Sequence, residues 1–391
     1  MRICIVSEHY FPKLGGTTTH THEITKNLAK IDPSNLIYLI TSSEQEYKNR
    51  IKQKNIKCEF IQIPKFLQRE NFISVFLSLK LLKICLKEKI DIIHVTYGFF
   101  SIIFATIIAK LLRIKVIFTI QNVPPEEHSK SKNKFFQNIY HKIVKIFGYF
   151  VLNLPFNKLI CVSKQTACLA KCRGVKINKI TIIPNGISDI FFEKLNKETI
   201  RSKFKIQKNE IILLNVAGII SHKGQEFLIK AFSKINQIIP NSTLFLIGPI
   251  RDNKYFLKLK NSIEFQQNSK KIYFLGGKKY FHLPEYYKMA DIYVQPSLQE
   301  GFCISILEAM ASSLPVIGTN VGVIPEIIGS NERGILIKIL NLTNLETQIL
   351  KLIKNENLRT KYAESGAIFA KTYFLWKNIA KKTKNLYDNL I

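Results

Sequence analysis

The stretch Pro296–Gly318, PSLQEGFCISILEAMASSLPVIG, decides how the rest of this 391-residue chain is read. Just before it, Ile292–Gln295 is a short apolar run closed by Pro296, the pattern of a strand ending. Gln299–Cys303 is a turn holding one acid, Glu300, and one glycine; beyond it Ile304, Leu307 and Met310 recur at helical spacing. Strand, tight loop and helix start therefore follow one another. The first backbone N–H groups of such a helix have no partner within it, and a phosphate or sugar oxygen can accept from them. Glu300 on the loop and Glu308 just over a turn inside are placed to accept from the hydroxyls of a sugar and a ribose. Taken singly, each acid reads as an ordinary surface group; their surroundings carry the assignment.

Working outward, 391 residues are long for one core and natural for two domains. The chain is 46% hydrophobic with a net charge of +30, enough to build a core beneath a strongly positive surface. From His128 to Ser188 there is no Asp or Glu against eleven Lys and Arg, so an anionic partner is expected to meet the first half. Met1–Ser7 is too short an apolar run for a signal peptide, and Val95–Ala109 too short for a bilayer span, which predicts a cytoplasmic protein, soluble or bound to a surface. Seven scattered cysteines argue against a disulfide framework, and Cys168 and Cys172 lack the second ligand pair a zinc site needs. Neither an Asp-x-Asp motif nor a nucleic-acid recognition signature is present, so no metal and no nucleic-acid partner are expected.

Short β-branched runs at Arg2–Ser7, Leu36–Thr41, Phe60–Ile63, Ile92–Val95, Val116–Ile120, Lys158–Val162 and Ile180–Ile183 predict strands. Helical patterns fall between them at Thr18–Lys30, Ile73–Leu86, Phe99–Leu112 and Phe135–Leu152, which gives an α/β half with a largely parallel sheet. The pattern repeats with strands at Glu210–Gly218, Thr243–Gly248, Ile272–Leu275, Ile292–Gln295 and Val316–Gly318. Ligands of such sheets sit beyond the carboxyl ends of the strands. That singles out His9, His94, Gln121 and Ser163 in the first half, and the loops at Ser221–Gly224 and Gln299–Cys303 in the second.

In order, Glu300-Gly301-Phe302, Glu308-Ala309-Met310-Ala311 and Leu314-Pro315-Val316 resemble the signature of the retaining family 4 glycosyltransferases. The resemblance extends to Gly15-Gly16, Pro184-Asn185-Gly186, Lys223-Gly224 and Gly276-Gly277, and so spans most of the chain. It implies the GT-B fold: two Rossmann-like domains facing across a cleft, with the C-terminal helix crossing back to the first. The domains expected are residues 1–190 plus the helix 373–391, and residues 191–372. The resemblance makes Glu300 and Lys223 catalytic, Lys223 meeting the charge that develops on the leaving diphosphate. It assigns donor binding to Gly15, Gly16, Gln121, Lys223, Gly276, Phe302, Cys303, Ile304, Ser305 and Glu308, and leaves His9, His20 and His22 as acceptor candidates.

The sequence departs from the family pattern at several positions. Gln121 stands where His is frequent, and it reads either as a donor contact or as a loop polar group facing water. Cys303 and Ser313 replace glycines, which is expected to narrow the sugar pocket. Ile219 replaces an Arg, leaving His222 or Arg251 to assist Lys223.

The expected function is retaining, metal-independent transfer from a nucleoside-diphosphate sugar, a UDP-sugar for preference, to a glycan or lipid-linked acceptor. Cell-surface polysaccharide, lipopolysaccharide or glycolipid synthesis would use such a step, and no cofactor is expected. A nucleotide-sugar epimerase of the same fold and a non-enzymatic basic nucleic-acid binder are the alternatives. Asn133–Leu152, aromatic and flanked by Lys130, Lys132, Lys134, Lys142 and Lys145, fits equally a helix packed on its sheet and an interfacial helix on an anionic membrane.

Overall fold

The computed structural model describes residues 1–11, 15–42, 53–61, 70–121, 146 and 148–391, the side chains of 70–72 and 99 excepted. The predicted helix over Phe135–Leu152 and its lysines lie almost wholly outside the described residues, as do Lys13, Leu14 and Asn122. Two compact units form: Met1–Asn185 with Trp376–Ile391, and Gly186–Leu375.

The first unit is built on seven strands, β1 (Arg2–Ser7), β2 (Leu36–Ser42), β3 (Ile56–Ile61), β4 (Ile92–Tyr97), β5 (Lys115–Ile120), β6 (Lys158–Cys161) and β7 (Ile180–Ile182). Their order is β3-β2-β1-β4-β5-β6-β7, parallel throughout. Alternate residues of each strand feed opposite faces. Cys4 and Val6 join one apolar cluster and Ile3 and Ile5 the other, so both faces are covered and the strands read as unbroken apolar runs. The first helix, Gly16–Ile31, lies on the second face beside the last, Trp376–Asp388; Ile24 and Leu28 of one share a core with Trp376, Ile379 and Tyr387 of the other.

The second unit carries β8 (Ile211–Val216), β9 (Ser242–Ile247), β10 (Ile272–Gly276), β11 (Ile292–Gln295), β12 (Val316–Thr319) and β13 (Ile335–Ile337), in the parallel order β10-β9-β8-β11-β12-β13. The helices Gln225–Ile238 and Leu342–Lys354 pack with Leu213 on one face. Ile304–Ala311 packs with Ile212 and Leu214 on the other, against the long helix Glu356–Phe374 at Gly366 and Ala370.

Three expectations are corrected. The strand expected at Phe60–Ile63 begins at Ile56, because its partner β2 sets the register, Ile37 opposite Ile56 and Ser42 opposite Ile61. β13 went unseen: a three-residue run is too short to show alternation. The first helix begins at Gly16 rather than Thr18. The division between the units falls at Asn185/Gly186 and Leu375/Trp376, a few residues from the expected 190 and 373. Ile187 and Phe191 are buried in the second unit's core, and the Ile187 N–H donates to Phe374 O at 2.6 Å, tying the two crossing segments together.

Candidate active site

In each sheet the strand order reverses once, between β1 and β4 and between β8 and β11. A crevice opens beyond the carboxyl ends of strands that diverge in this way. The loop after β8 carries Lys223 and the loop after β11 carries Glu300, so both stand at this reversal. The two loops are fastened together: Leu298 N–H donates to His222 O at 2.8 Å. Gly224 has φ 71°, and a Cβ there would lie 2.0 Å from Pro296 O. Only glycine lets the Lys223 loop approach the strand end so closely. Gly322, after β12, is fitted against the Glu300 backbone in the same way: its φ is 59°, and a Cβ there would lie 2.4 Å from Glu300 O.

Lys223 Nζ donates to Glu300 Oε2 at 2.7 Å, with side chains 23% and 4% exposed. Burial would lower the lysine's pKa, but the Glu300 carboxylate outweighs it and the ammonium is held above its ordinary value. The second carboxylate oxygen is fixed as firmly: Glu300 Oε1 accepts from Ser297 Oγ at 2.7 Å and Gln295 Nε2 at 3.3 Å. Gln295 is fully buried and is itself oriented, its Oε1 accepting from Tyr293 O–H at 2.5 Å. Glu300 is thus a pre-set acceptor rather than a swinging surface acid. Gln295, Ser297 and Tyr293 were not recognised from sequence, although Gln-Pro-Ser at a strand end offered a signal.

Ile304–Ala311 starts beside this pair. Its N-cap, Cys303, makes no side-chain cap bond, so the first N–H groups around Ile304 and Ser305 remain available to an anion. Glu308, on the same helix, is 5% exposed and accepts from Tyr287 O–H at 2.6 Å. Burial lifts its pKa to about 7, and the Tyr287 bond only partly offsets that. Cys303 is buried in the core with Tyr287 and Tyr293, its Sγ 3.4 Å from Ser305 Oγ, and burial raises its pKa. Phe302 packs at the edge of this core, 6.4 Å from the Phe374 ring. Gly276, at the end of β10, has φ 68° and open space around it.

Ser313 corrects an expectation. It sits at the far end of Ile304–Ala311 with φ 58°, the left-handed position where glycine is free of strain. Ser313 N–H donates to Met310 O and Leu314 N–H to Ala309 O, closing the helix. It terminates the helix and does not line the Glu300 end. His222 is a weaker second cation than an exposed histidine would be: burial and the Lys223 charge lower its pKa against the opposing pull of Glu300. Arg251 passes over Gly218, where a Cβ would meet its Cγ at 3.1 Å.

In the first unit, Gly15 caps the first helix with extended backbone and no atom within 4 Å of a built Cβ, and Gly16 opens that helix. His9, half-buried, stacks on Tyr97 at 4.6 Å. His22 is buried, its Nδ1 2.7 Å from Tyr10 O–H. His20 pairs through Nδ1 with Asn185 Oδ1 at 2.7 Å, and Asn185 Nδ2 donates to Gln121 Oε1 at 2.8 Å. Since Asn185 gives Gln121 its N–H, its oxygen accepts from His20 Nδ1–H. Burial lowers the His20 pKa to about 4, leaving a neutral ring whose Nε2 is buried without a partner. His94 is likewise internal, bonded to Tyr387 and Thr119.

Two parallel Rossmann-like sheets, the second with a lysine–glutamate pair at its reversal, define the GT-B class. Family models agree: Glycosyltransferase Family 4 matches residues 14–189, and Glycosyl transferases group 1 matches residues 196–368. The chain belongs to this glycosyltransferase family. An uncharacterised glycosyltransferase of Methanocaldococcus jannaschii is 29% identical over 382 residues, covering 97% of this chain and 96% of that one. The N-acetyl-alpha-D-glucosaminyl L-malate synthase of Bacillus anthracis is 24% identical over 394 residues, covering 97% and 96%. Among solved structures, Anabaena HepE in complex with UDP-glucose superposes with a TM-score of 0.79 at 16% identity, over 100% of both chains.

Proposed function

We propose that this glycosyltransferase moves a sugar from a nucleoside-diphosphate donor, with a UDP-sugar as first choice, to a glycan or lipid-linked acceptor, retaining anomeric configuration and requiring no metal. The observation that carries the reading is the Lys223–Glu300 pair at the β8/β11 reversal beside an uncapped helix start. An ammonium has three N–H donors, so Lys223 can keep Glu300 and still reach a diphosphate oxygen. Charge growing on that oxygen as the glycosidic bond breaks is met by Lys223 and by the N–H groups at Ile304 and Ser305. Glu300, held by Ser297 and Gln295, accepts from a sugar hydroxyl; Glu308 accepts from the ribose. The acceptor oxygen bonds to the face the diphosphate leaves, and its proton departs on that diphosphate, so no protein base is needed. HepE, which was crystallised with UDP-glucose, supports UDP as first choice.

The acceptor is placed at a cytoplasmic membrane face. The basic first half supports this, as do the exposed Phe76, Leu79 and Leu86 on the helix Glu70–Lys87. No helix among the described residues is long and apolar enough to cross a membrane. A panel of nucleotide sugars tests the reading through ligand-induced thermal stabilisation followed by transfer assays in EDTA. One nucleotide sugar should stabilise the protein and be consumed only with acceptor present. Epimerisation of donor without acceptor, or loss of turnover in EDTA that metal restores, would overturn it.

A further inference from the structure

A cavity of about 260 Å³ opens in the second unit away from the Lys223–Glu300 pair, at the opposite end of Ile304–Ala311. Its wall is mostly apolar, with Phe192, Leu195 and Ile368 contributing. Ser312 and Ser313 contribute to the wall, but the Ser312 hydroxyl itself is enclosed. One cation on that wall, Lys288, lacks a counter-charge. Lys288 is half-buried, and no carboxylate of the described residues pairs with it, whereas its neighbours Lys197 and Lys203 are paired with Asp291 and Glu285. Burial and the Lys197 charge push the Lys288 pKa down, the signature of a cation lacking a counter-charge.

Lys194 and Lys371 add two exposed cations to the same rim, while Glu193, also there, forms no ion pair with any of the three. Three of the last carbonyls of the helix are already occupied, since Ser312, Ser313 and Leu314 N–H groups donate to the oxygens of Glu308, Met310 and Ala309. A void that is merely imperfect packing is lined by apolar atoms and needs nothing inside it. This one sets an unpaired ammonium over an apolar floor.

We propose that this cavity is a second ligand site, for a small organic anion that presents a phosphate or carboxylate to Lys288, with Lys194 and Lys371 at the rim, and lays an apolar body against Phe192 and Leu195. Its volume lies below the roughly 300 Å³ at which drug-sized pockets begin, so the occupant is small. No residue proposed for donor binding lines it, and the site stands whether or not the donor reading holds.

Phenyl phosphate is the probe, with calorimetry as the readout, in the presence and absence of excess UDP. Binding is expected to survive saturating UDP, to weaken about tenfold in Lys288→Gln as one charge-assisted hydrogen bond is lost, and to disappear in Ala367→Phe, which fills the cavity. UDP binding, retained in both variants, reports that they are folded; should the protein not bind UDP at all, an unchanged thermal midpoint serves instead. Inorganic phosphate and benzyl alcohol should each bind much more weakly than phenyl phosphate. Equal affinity for either one overturns the amphiphilic anion. Displacement by UDP, or binding indifferent to both substitutions, overturns the site.

Discussion

Glu308 gives a prediction whose size follows from its burial. A glutamate with an ordinary pKa of 4.5 is lifted to about 7 in the folded chain. Between those values the folded chain holds a proton that the unfolded chain releases, so stability falls as pH rises from about 4.5 to about 7. Above pH 7 the full effect is a loss of about 3 kcal/mol relative to pH 4.5. Glu308→Gln keeps an oxygen for Tyr287 O–H to donate to but cannot ionise. At pH 5 the variant and the parent should melt together; at pH 8 the variant should melt several degrees higher, since each kcal/mol moves a unit of this size by roughly 2–4 °C. The variant should nevertheless bind UDP more weakly. If ribose hydroxyls meet the ionised carboxylate, calorimetry near pH 7 in buffers of different ionisation enthalpy should show a proton released on UDP binding by the parent and none by the variant. A melting difference that is the same at pH 5 and pH 8 would refute the reasoning.

The remaining predictions concern the loops around the site. Lys223→Ala should raise the barrier to transfer by about 2–4 kcal/mol, and it should also destabilise the protein by stranding the Glu300 carboxylate. Lys223→Met with Glu300→Gln should recover melting temperature but not turnover, and recovery of both would dismiss the electrostatic role. Ser297→Ala, removing one bond to Glu300 Oε1, should lower kcat by about tenfold with KM little changed, as measured in steady-state transfer assays. Gly224→Ala drives a Cβ to 2.0 Å from Pro296 O and should unfold or strongly destabilise the second unit; wild-type melting would contradict the close approach. Co-sedimentation with liposomes should rise with anionic lipid and fall with salt; indifference to both would detach the protein from the membrane.

Much of this was legible in the chain because the second half writes its site locally. Pro296 ends a strand, Glu300 rides the turn and Ile304 starts the helix, all within one short segment, so period and punctuation suffice. Lys223 lies far from Glu300 in sequence; the family resemblance put both in one site, and their ion pair came to light only with the fold. What stayed hidden depends on partners that no period announces. Gln295 and Tyr293 read as strand residues until the fold tucks their polar ends under Glu300. Tyr287 meets Glu308 only through tertiary packing. Ser313 was assigned to the sugar because a glycine usually stands there, while the reason for that glycine is the left-handed turn ending the helix. In the first half, burial of His20 and His22 could not be read from the opening of the first helix, Thr17-Thr18-Thr19-His20-Thr21-His22, which holds no apolar residue.

The last helix has a consequence for how the protein is made. Trp376, Ile379 and Tyr387 complete the core under the first helix, and Tyr387 O–H bonds to the otherwise enclosed His94. Yet the whole second unit is synthesised between Asn185 and Trp376, which at about 5–20 residues per second takes roughly 10–40 s. For that interval the first unit on the ribosome lacks part of its own interior, and its apolar sheet face lies open, while the unit translated after it is continuous and able to close first. A stop codon at Trp376 therefore deletes part of the first unit's core, and such a truncated chain should fail by aggregation during synthesis.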